Sequence, residues 1–374
     1  MNLLPKVALH ITSLQQGGAE RITINLAEGL AERGLNIDLL YCQQGTFPKE
    51  EMPKNVNFIH LKASNSVKSV SLLKNYLTKS RPAILLSALH QPSVASIIAR
   101  SRSKTNTKIV VAIHNTVSQE VKFATNWRRK VMPIFARKLY PLADGIICVS
   151  KTAADDASQY LSLPRNRIEA IYNPVVTQSL MFKIAEESNN NWLDDQSEYP
   201  TFIAVGRLNN EKNFEMMLKA LQIVNQTKKA RLIILGEGPD RPKLESLVKS
   251  FGLEEVVDLA GFMQNPYTFI RKARAILLTS HHEGLPTVLI EALAAGTPII
   301  SVDCPSGPRE ILDGGGYGRL VTSLKPEAFS QAILDELGQA RIPPPAESWQ
   351  PYKAEVAFEH YETYLSAIAG FPLR

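Results

Sequence analysis

Two glutamates eight residues apart, Glu283 and Glu291, lie in the stretch Ser280-His281-His282-Glu283-Gly284-Leu285-Pro286-Thr287-Val288-Leu289-Ile290-Glu291-Ala292-Leu293-Ala294-Ala295-Gly296. Pro286 suits the first turn of a helix and Gly296 its C-terminal end. Glu283 is therefore expected in a loop at a helix N-terminus, and Glu291 within the helix. Ionised carboxylates are strong acceptors, and two at different depths can grip two sets of hydroxyls on one ligand. The helix start, around Leu285, Pro286 and Thr287, offers backbone amides to phosphate or sugar oxygens. The plainer alternative makes Glu291 a solvated helix residue and Glu283 a partner of the helix dipole.

Three further stretches carry residue types suited to an anion. In Val205-Gly206-Arg207-Leu208-Asn209-Asn210-Glu211-Lys212-Asn213, Arg207 and Lys212 lie five apart just past an apolar run. A guanidinium fork and a point ammonium make a diphosphate clamp, or simply a solvated basic loop. Gly236-Glu237-Gly238-Pro239 ends the next apolar run. It is half a dinucleotide fingerprint without the third glycine: weak for NAD, reasonable for a loop lying against a ligand. Gln15-Gln16-Gly17-Gly18-Ala19-Glu20-Arg21 puts two glycines between a first strand and a first helix. Backbone amides can approach an anion closely there, or the turn needs glycine only for itself.

Other chemistries lack their markers: the chain has no Asp-x-Asp, Walker A loop, His-Glu-x-x-His or Gly-x-Ser-x-Gly. Cys42, Cys148 and Cys304 are widely spaced and odd in number. They suggest neither a disulfide framework nor a metal site, and fit a reducing cytoplasm. The net charge of +6 suits phosphate-bearing partners. No run approaches 18 apolar residues, so no membrane span is expected, and the first residues read as a strand and not as a signal peptide.

The elements that must position these residues alternate. Short, nearly continuous apolar runs at 7–12, 37–41, 56–61, 84–87, 109–113, 145–150 and 168–172 read as parallel strands covered on both faces. Ala19, Ile22, Leu26, Ala27 and Leu30 form one helical stripe, which Gly34 closes. The pattern collapses near 175–200 and resumes with strands at 201–205, 231–235, 256–259, 275–279, 298–302 and 318–321. At 374 residues, two domains are expected. Residues 1–175 are expected to form an N-terminal domain, 176–200 a linker region and 201–345 a C-terminal domain. Residues 346–374 carry a terminal helix that packs back on the first domain. The fold class is α/β, two doubly wound Rossmann-like domains facing a central cleft.

Taken together, "SHHEGLPTVLIEALAAGTPII", "VGRLNNEKN", "ILGEGPDR", "LAGFMQNP" and "QQGGAERITINLAEGLAERG" closely resemble the retaining family 4 glycosyltransferases of the GT-B fold. Within that family the likeness is to enzymes of bacterial cell-surface polysaccharide, lipopolysaccharide and lipid-linked glycan synthesis. It implies that 1–175 is the acceptor-side domain and 201–345 the donor-binding domain, and it implies a role for each residue. Arg207 and Lys212 would bind the donor diphosphate, and Glu291 the ribose. Glu283 would contact the donor sugar, and Gly17 and Gly18 would let their loop close over the phosphates. Gly236, Gly238, Phe262 and Met263 would surround the base. His114, in "VVAIHNT", matches a family histidine near the reacting sugar, although a lone histidine is as readily structural.

The implied reaction moves a hexose or N-acetylhexosamine from a UDP-sugar, with no cofactor, to a glycan or lipid-linked acceptor. Nucleic acid is not an expected partner. Residues 123–142 mix Arg128, Arg129, Lys130, Arg137 and Lys138 with Trp127, Ile134, Phe135 and Tyr140. This suits an anionic membrane surface, hence a peripheral location on the cytoplasmic face of the inner membrane, or else an amphipathic helix packed on its own domain. Two alternatives share the fold: a nucleotide-sugar epimerase, and an NAD- or nucleotide-binding protein.

Overall fold

A computed structural model describes residues 5–15, 17–123, 127–187, 190–193 and 199–374, with the side chains of 127–130 outside that set. The chain forms two compact units, Met1–Pro174 with Tyr352–Arg374, and Val175–Pro351. Each is built on its own parallel sheet.

The first unit contains β1 (Lys6–Ser13), β2 (Asn36–Gln43), β3 (Asn57–His60), β4 (Ile84–Ala88), β5 (Lys108–Ile113), β6 (Gly145–Cys148) and β7 (Ile168–Ala170). Their spatial order is β3-β2-β1-β4-β5-β6-β7. The second contains β8 (Thr201–Val205), β9 (Arg231–Leu235), β10 (Val257–Gly261), β11 (Ile276–Leu278), β12 (Ile299–Val302) and β13 (Arg319–Val321). Their order is β10-β9-β8-β11-β12-β13. All pairings are parallel. Central strands such as β4 and β6 are buried at every residue, as helices on both faces require. Separate apolar cores fill the two faces of the first sheet.

The strands fall where the apolar runs predict, with differences of one or two residues at their ends, two of which have a plain cause. The run at 145–150 stops pairing at Cys148, because Ser150 caps the next helix and its Oγ accepts from the Ala153 N–H at 3.1 Å. The run at 256–259 continues to Gly261 across an irregularity in register, which Gly261 accommodates at φ 78°.

Residues 176–200 begin with the helix Gln178–Ala185, capped by the Thr177 hydroxyl. Further on, Arg231 lies over the rings of Trp192 and Tyr199 at 5.0 and 5.3 Å. Residues 188–189 and 194–198 lie outside the described set. The terminal helix Ala354–Ala369 presses Phe358 onto Gly29, where a Cβ would lie 2.0 Å from Phe358 Cζ. It also pairs Glu362 with Arg33 at 2.8 Å, and the Tyr364 hydroxyl accepts from the Ile146 N–H at 3.0 Å.

Candidate functional site

In the second sheet the chain runs outward from β8 through β9 to β10, then crosses to β11 on the other side of β8. The loops leaving β8 and β11 therefore diverge, and a doubly wound sheet offers its binding crevice at such a switch point. Arg207 and Lys212 follow β8, and Glu283 follows β11. The Gly236–Gly238 turn follows β9, while Phe262 and Met263 follow β10. All stand at the C-terminal edge of one sheet.

Local sequence shapes the loop after β8. Asn209 is extended, and its Oδ1 accepts from the Lys212 N–H at 3.3 Å, starting the single turn Asn210–Lys212. Asn213 ends that turn in the left-handed region at φ 50°, a conformation asparagine tolerates. The turn brings Lys212 Nζ to 2.6 Å from Glu283 Oε1, joining residues 71 apart in sequence. The pair is mostly shielded, with side chains 24% and 12% exposed.

Two buried hydroxyls brace it. The Thr279 Oγ1 reaches the carbonyls of Lys212 and Asn213 at 3.1 and 3.0 Å. The Ser280 Oγ donates to Glu283 Oε1 at 2.6 Å. The His281 N–H also donates to the Glu211 carbonyl at 2.8 Å. Burial and the neighbouring His282 push the His281 imidazole below its ordinary value, so it is neutral at pH 7.

Arg207 stands apart. It is exposed and makes no ion pair among the described residues. Lys212 is instead engaged with a carboxylate.

The glycines prove to have intramolecular reasons. Gly236 adopts φ 146°, and a Cβ there would lie 1.9 Å from the Gly206 carbonyl oxygen. A Cβ on Gly238 would lie 2.2 Å from the Leu208 oxygen. The loops after β8 and β9 thus touch backbone to backbone, with Leu208 N–H donating to the Glu237 carbonyl at 3.0 Å. Phe262 is 52% exposed and offers an aromatic face; Met263 is half-buried.

The helix Thr287–Ala294 begins just past Pro286. Leu285 and Pro286 are buried, and Pro286 carries no backbone N–H to offer an anion. Gly307, at φ 88°, packs beneath: its Cβ would lie 2.3 Å from Pro286 Cδ. Thr287 and Glu291 are partly exposed, with Glu291 about one turn into the helix.

Gly17, Gly18 and His114 belong to the first unit, at the C-terminal edge of its own sheet. Gly17 and Gly18 follow β1, at the β1–β4 switch point. A Cβ at Gly18 would meet nothing within 4 Å, whereas one at Gly17 would lie 2.3 Å from Glu20 Oε2. Burial raises the Glu20 carboxyl above its usual range. His114 follows β5, and burial lowers its imidazole to about 4, leaving it a neutral donor or acceptor at pH 7.

Asn209, Thr279 and Ser280 were not marked by sequence reasoning. Asn209 had a local signal, a capping residue three before Lys212. Thr279 and Ser280 had only their place at the end of an apolar run, where a buried hydroxyl must find a partner. Among the described residues, no three His, Cys, Asp or Glu side chains are grouped as metal ligands, and no helix is long and apolar enough to cross a membrane.

Two family patterns match in succession: Glycosyltransferase Family 4 over residues 16–179, and Glycosyl transferases group 1 over residues 186–348. The chain is 28% identical over 335 residues to the Campylobacter jejuni N-acetylgalactosamine-N,N'-diacetylbacillosaminyl-diphospho-undecaprenol 4-alpha-N-acetylgalactosaminyltransferase, covering 85% of this chain and 86% of the relative. It is 34% identical over 161 residues to the Escherichia coli lipopolysaccharide 1,6-galactosyltransferase, covering 41% of each. Among solved structures, Anabaena HepE in complex with UDP aligns with a TM-score of 0.77 at 17% identity, over 97% of this chain and all of that one. The apo lipopolysaccharide outer core galactosyltransferase WaaB aligns with a TM-score of 0.72 at 19% identity, over 97% and 99%.

Proposed function

We propose a specific reaction for this chain, which belongs to glycosyltransferase family 4 and has the GT-B fold: retaining transfer of a hexose or N-acetylhexosamine from a UDP-sugar to a cell-surface glycan or lipid-linked acceptor. The observation that carries this reading is the Lys212–Glu283 pair at the β8–β11 switch point. It puts a cation and a hydroxyl-accepting carboxylate within hydrogen-bonding distance of each other, as suits a ligand that joins a diphosphate to a sugar. The UDP specificity is supported by HepE and the acceptor class by the Campylobacter jejuni enzyme, whose names state them.

Transfer breaks the bond between the anomeric carbon and the diphosphate oxygen. The bonding electrons leave with the diphosphate, and positive charge develops on the anomeric carbon. The acceptor hydroxyl then forms the new C–O bond, and its proton passes to the departing diphosphate oxygen. In this reading Lys212 exchanges Glu283 for the diphosphate, Arg207 closes on it from the exposed side, and the two cations stabilise the leaving group without a metal. Glu283, released, accepts hydrogen bonds from the donor sugar, and Glu291 from the ribose. The Gly236–Gly238 turn, Phe262 and Met263 surround the base, and the amides near Thr287 take diphosphate oxygens. Gly17 and Gly18 accompany the phosphates, and His114, neutral, hydrogen-bonds the reacting sugar.

Thermal unfolding in the presence of UDP, GDP or NAD tests the donor class. UDP raises the midpoint by several degrees at 100 times its Kd, from about 2.7 kcal/mol of linkage. Stabilisation by NAD alone would overturn the reading. UDP release from UDP-glucose, UDP-galactose and their N-acetyl counterparts then identifies the sugar.

The acceptor side is read from the helix Trp127–Leu139, within the basic aromatic segment. It buries Ala136, with Tyr140 just beyond it also buried, yet exposes Ile134, Phe135, Arg137 and Lys138, with Leu142 exposed nearby. Apolar and cationic groups on one exposed face suit an anionic bilayer and a peripheral site on the cytoplasmic side. In a flotation assay the protein rises with vesicles containing anionic lipid, and Ile134→Glu with Phe135→Glu leaves it at the bottom. Equal recovery with neutral vesicles, or no flotation at all, sinks the membrane assignment.

A further inference from the structure

Strand β11 is apolar and fully buried, and the two residues that follow it are small hydroxyl residues, Thr279 and Ser280, at 1% and 0% exposure. A hydroxyl in such a place costs stability unless hydrogen-bonded. Both are bonded within the site, one to each half of the same ion pair. Thr279 holds the backbone of Lys212 and Asn213. Ser280 holds the carboxylate of Glu283, on the same Oε1 that Lys212 occupies at 2.6 Å.

The two donors to Oε1 differ in what happens when a diphosphate arrives. Lys212 is a flexible point charge, and a diphosphate competes for it directly. Ser280 is three residues from Glu283 in the same loop, is shielded from solvent, and carries no charge for the diphosphate to attract. The Glu283 backbone is meanwhile tethered by its N–H to the Pro305 carbonyl at 3.4 Å. When Lys212 leaves, the Ser280 bond still holds the carboxylate.

We infer that Ser280 is a positioning residue for transfer: its hydroxyl keeps Glu283 aimed at the donor sugar while Lys212 passes from Glu283 to the diphosphate. This rests on the role given to Glu283 above. It places the effect of Ser280 on the chemical step and not on nucleotide binding, because its hydroxyl donates to the Glu283 carboxylate, the group assigned to the sugar.

The test is a double-mutant cycle on the full-length protein with Ser280→Ala, Glu283→Ala and the double variant. It measures kcat and donor KM by UDP release, and UDP affinity by calorimetry. Ser280→Ala removes one hydrogen bond to a charged group, so kcat falls about tenfold while UDP affinity stays within about twofold. Adding Ser280→Ala to Glu283→Ala changes the residual rate by less than about twofold, since the group to be aimed is already gone. Retained UDP binding shows that each variant is folded.

The positioning role is refuted if Ser280→Ala leaves kcat intact, weakens UDP binding instead, or costs as much in the Glu283→Ala background. Near-normal kcat in Glu283→Ala alone would instead remove the role of Glu283 itself. The two failures are therefore separable.

Discussion

Replacing Lys212 with alanine lowers kcat for transfer by about 10²–10³-fold, the loss typical of removing one preorganised group that faces developing negative charge. The effect falls on kcat because the diphosphate is more negative at the transition state than in the bound donor. Stability changes much less. The pair is partly exposed, and Glu283 keeps the Ser280 hydroxyl, so the loss is on the order of 1–2 kcal/mol, between a surface and a buried ion pair. Arg207→Ala is expected to lower kcat comparably with no stability change, since Arg207 is exposed and makes no ion pair among the described residues. Steady-state UDP release together with thermal melts separates the two. Near-wild-type turnover in Lys212→Ala would refute its assignment to the leaving group.

Gly236→Ala is expected to damage the donor unit from within. The new Cβ would meet the Gly206 carbonyl oxygen at 1.9 Å, and φ 146° is a conformation that only glycine adopts freely. A backbone atom cannot swing aside as a side chain can, so the loops after β8 and β9 must separate. The cost is on the order of 2–4 kcal/mol. Moving the Gly206–Lys212 loop also displaces Arg207 and Lys212, so UDP affinity falls along with the melting temperature. Gly18→Ala is the control: its Cβ enters open space at the start of a helix, and the melting temperature stays within about a degree. Equal melting temperatures for Gly236→Ala and the parent protein would show that the two loops are not in register as described.

Much of the architecture was legible without coordinates, for a definite reason. Strands buried on both faces need unbroken apolar runs, and the runs 201–205 and 231–235 match β8 and β9 residue for residue. Helix punctuation was equally local: Pro286 precedes the helix after Glu283, and Gly296 follows it at φ 69°. The chemical types in the loops, two cations and a carboxylate, could be read directly because polar residues at strand ends are where such sheets place their ligands.

Which of those groups meet was not legible. Arg207 and Lys212, five apart, read as two cations for one diphosphate; that Lys212 also pairs with Glu283, 71 residues on, had no local signal. That contact exists because β11 pairs beside β8 and not beside β10, and strand order depends on long-range packing that no window of sequence contains. The reason for Gly236 and Gly238 was hidden in the same way: they read as room for a ligand, whereas what they make room for is a neighbouring loop. The two glutamates, eight residues apart, could be placed from sequence alone, Glu283 in a loop and Glu291 in a helix, because local periodicity governs both. That Glu283 shares one carboxylate oxygen between Lys212 and a buried serine was decided only by the fold, because hydrogen bonds form between neighbours in space and the sheet chooses the neighbours.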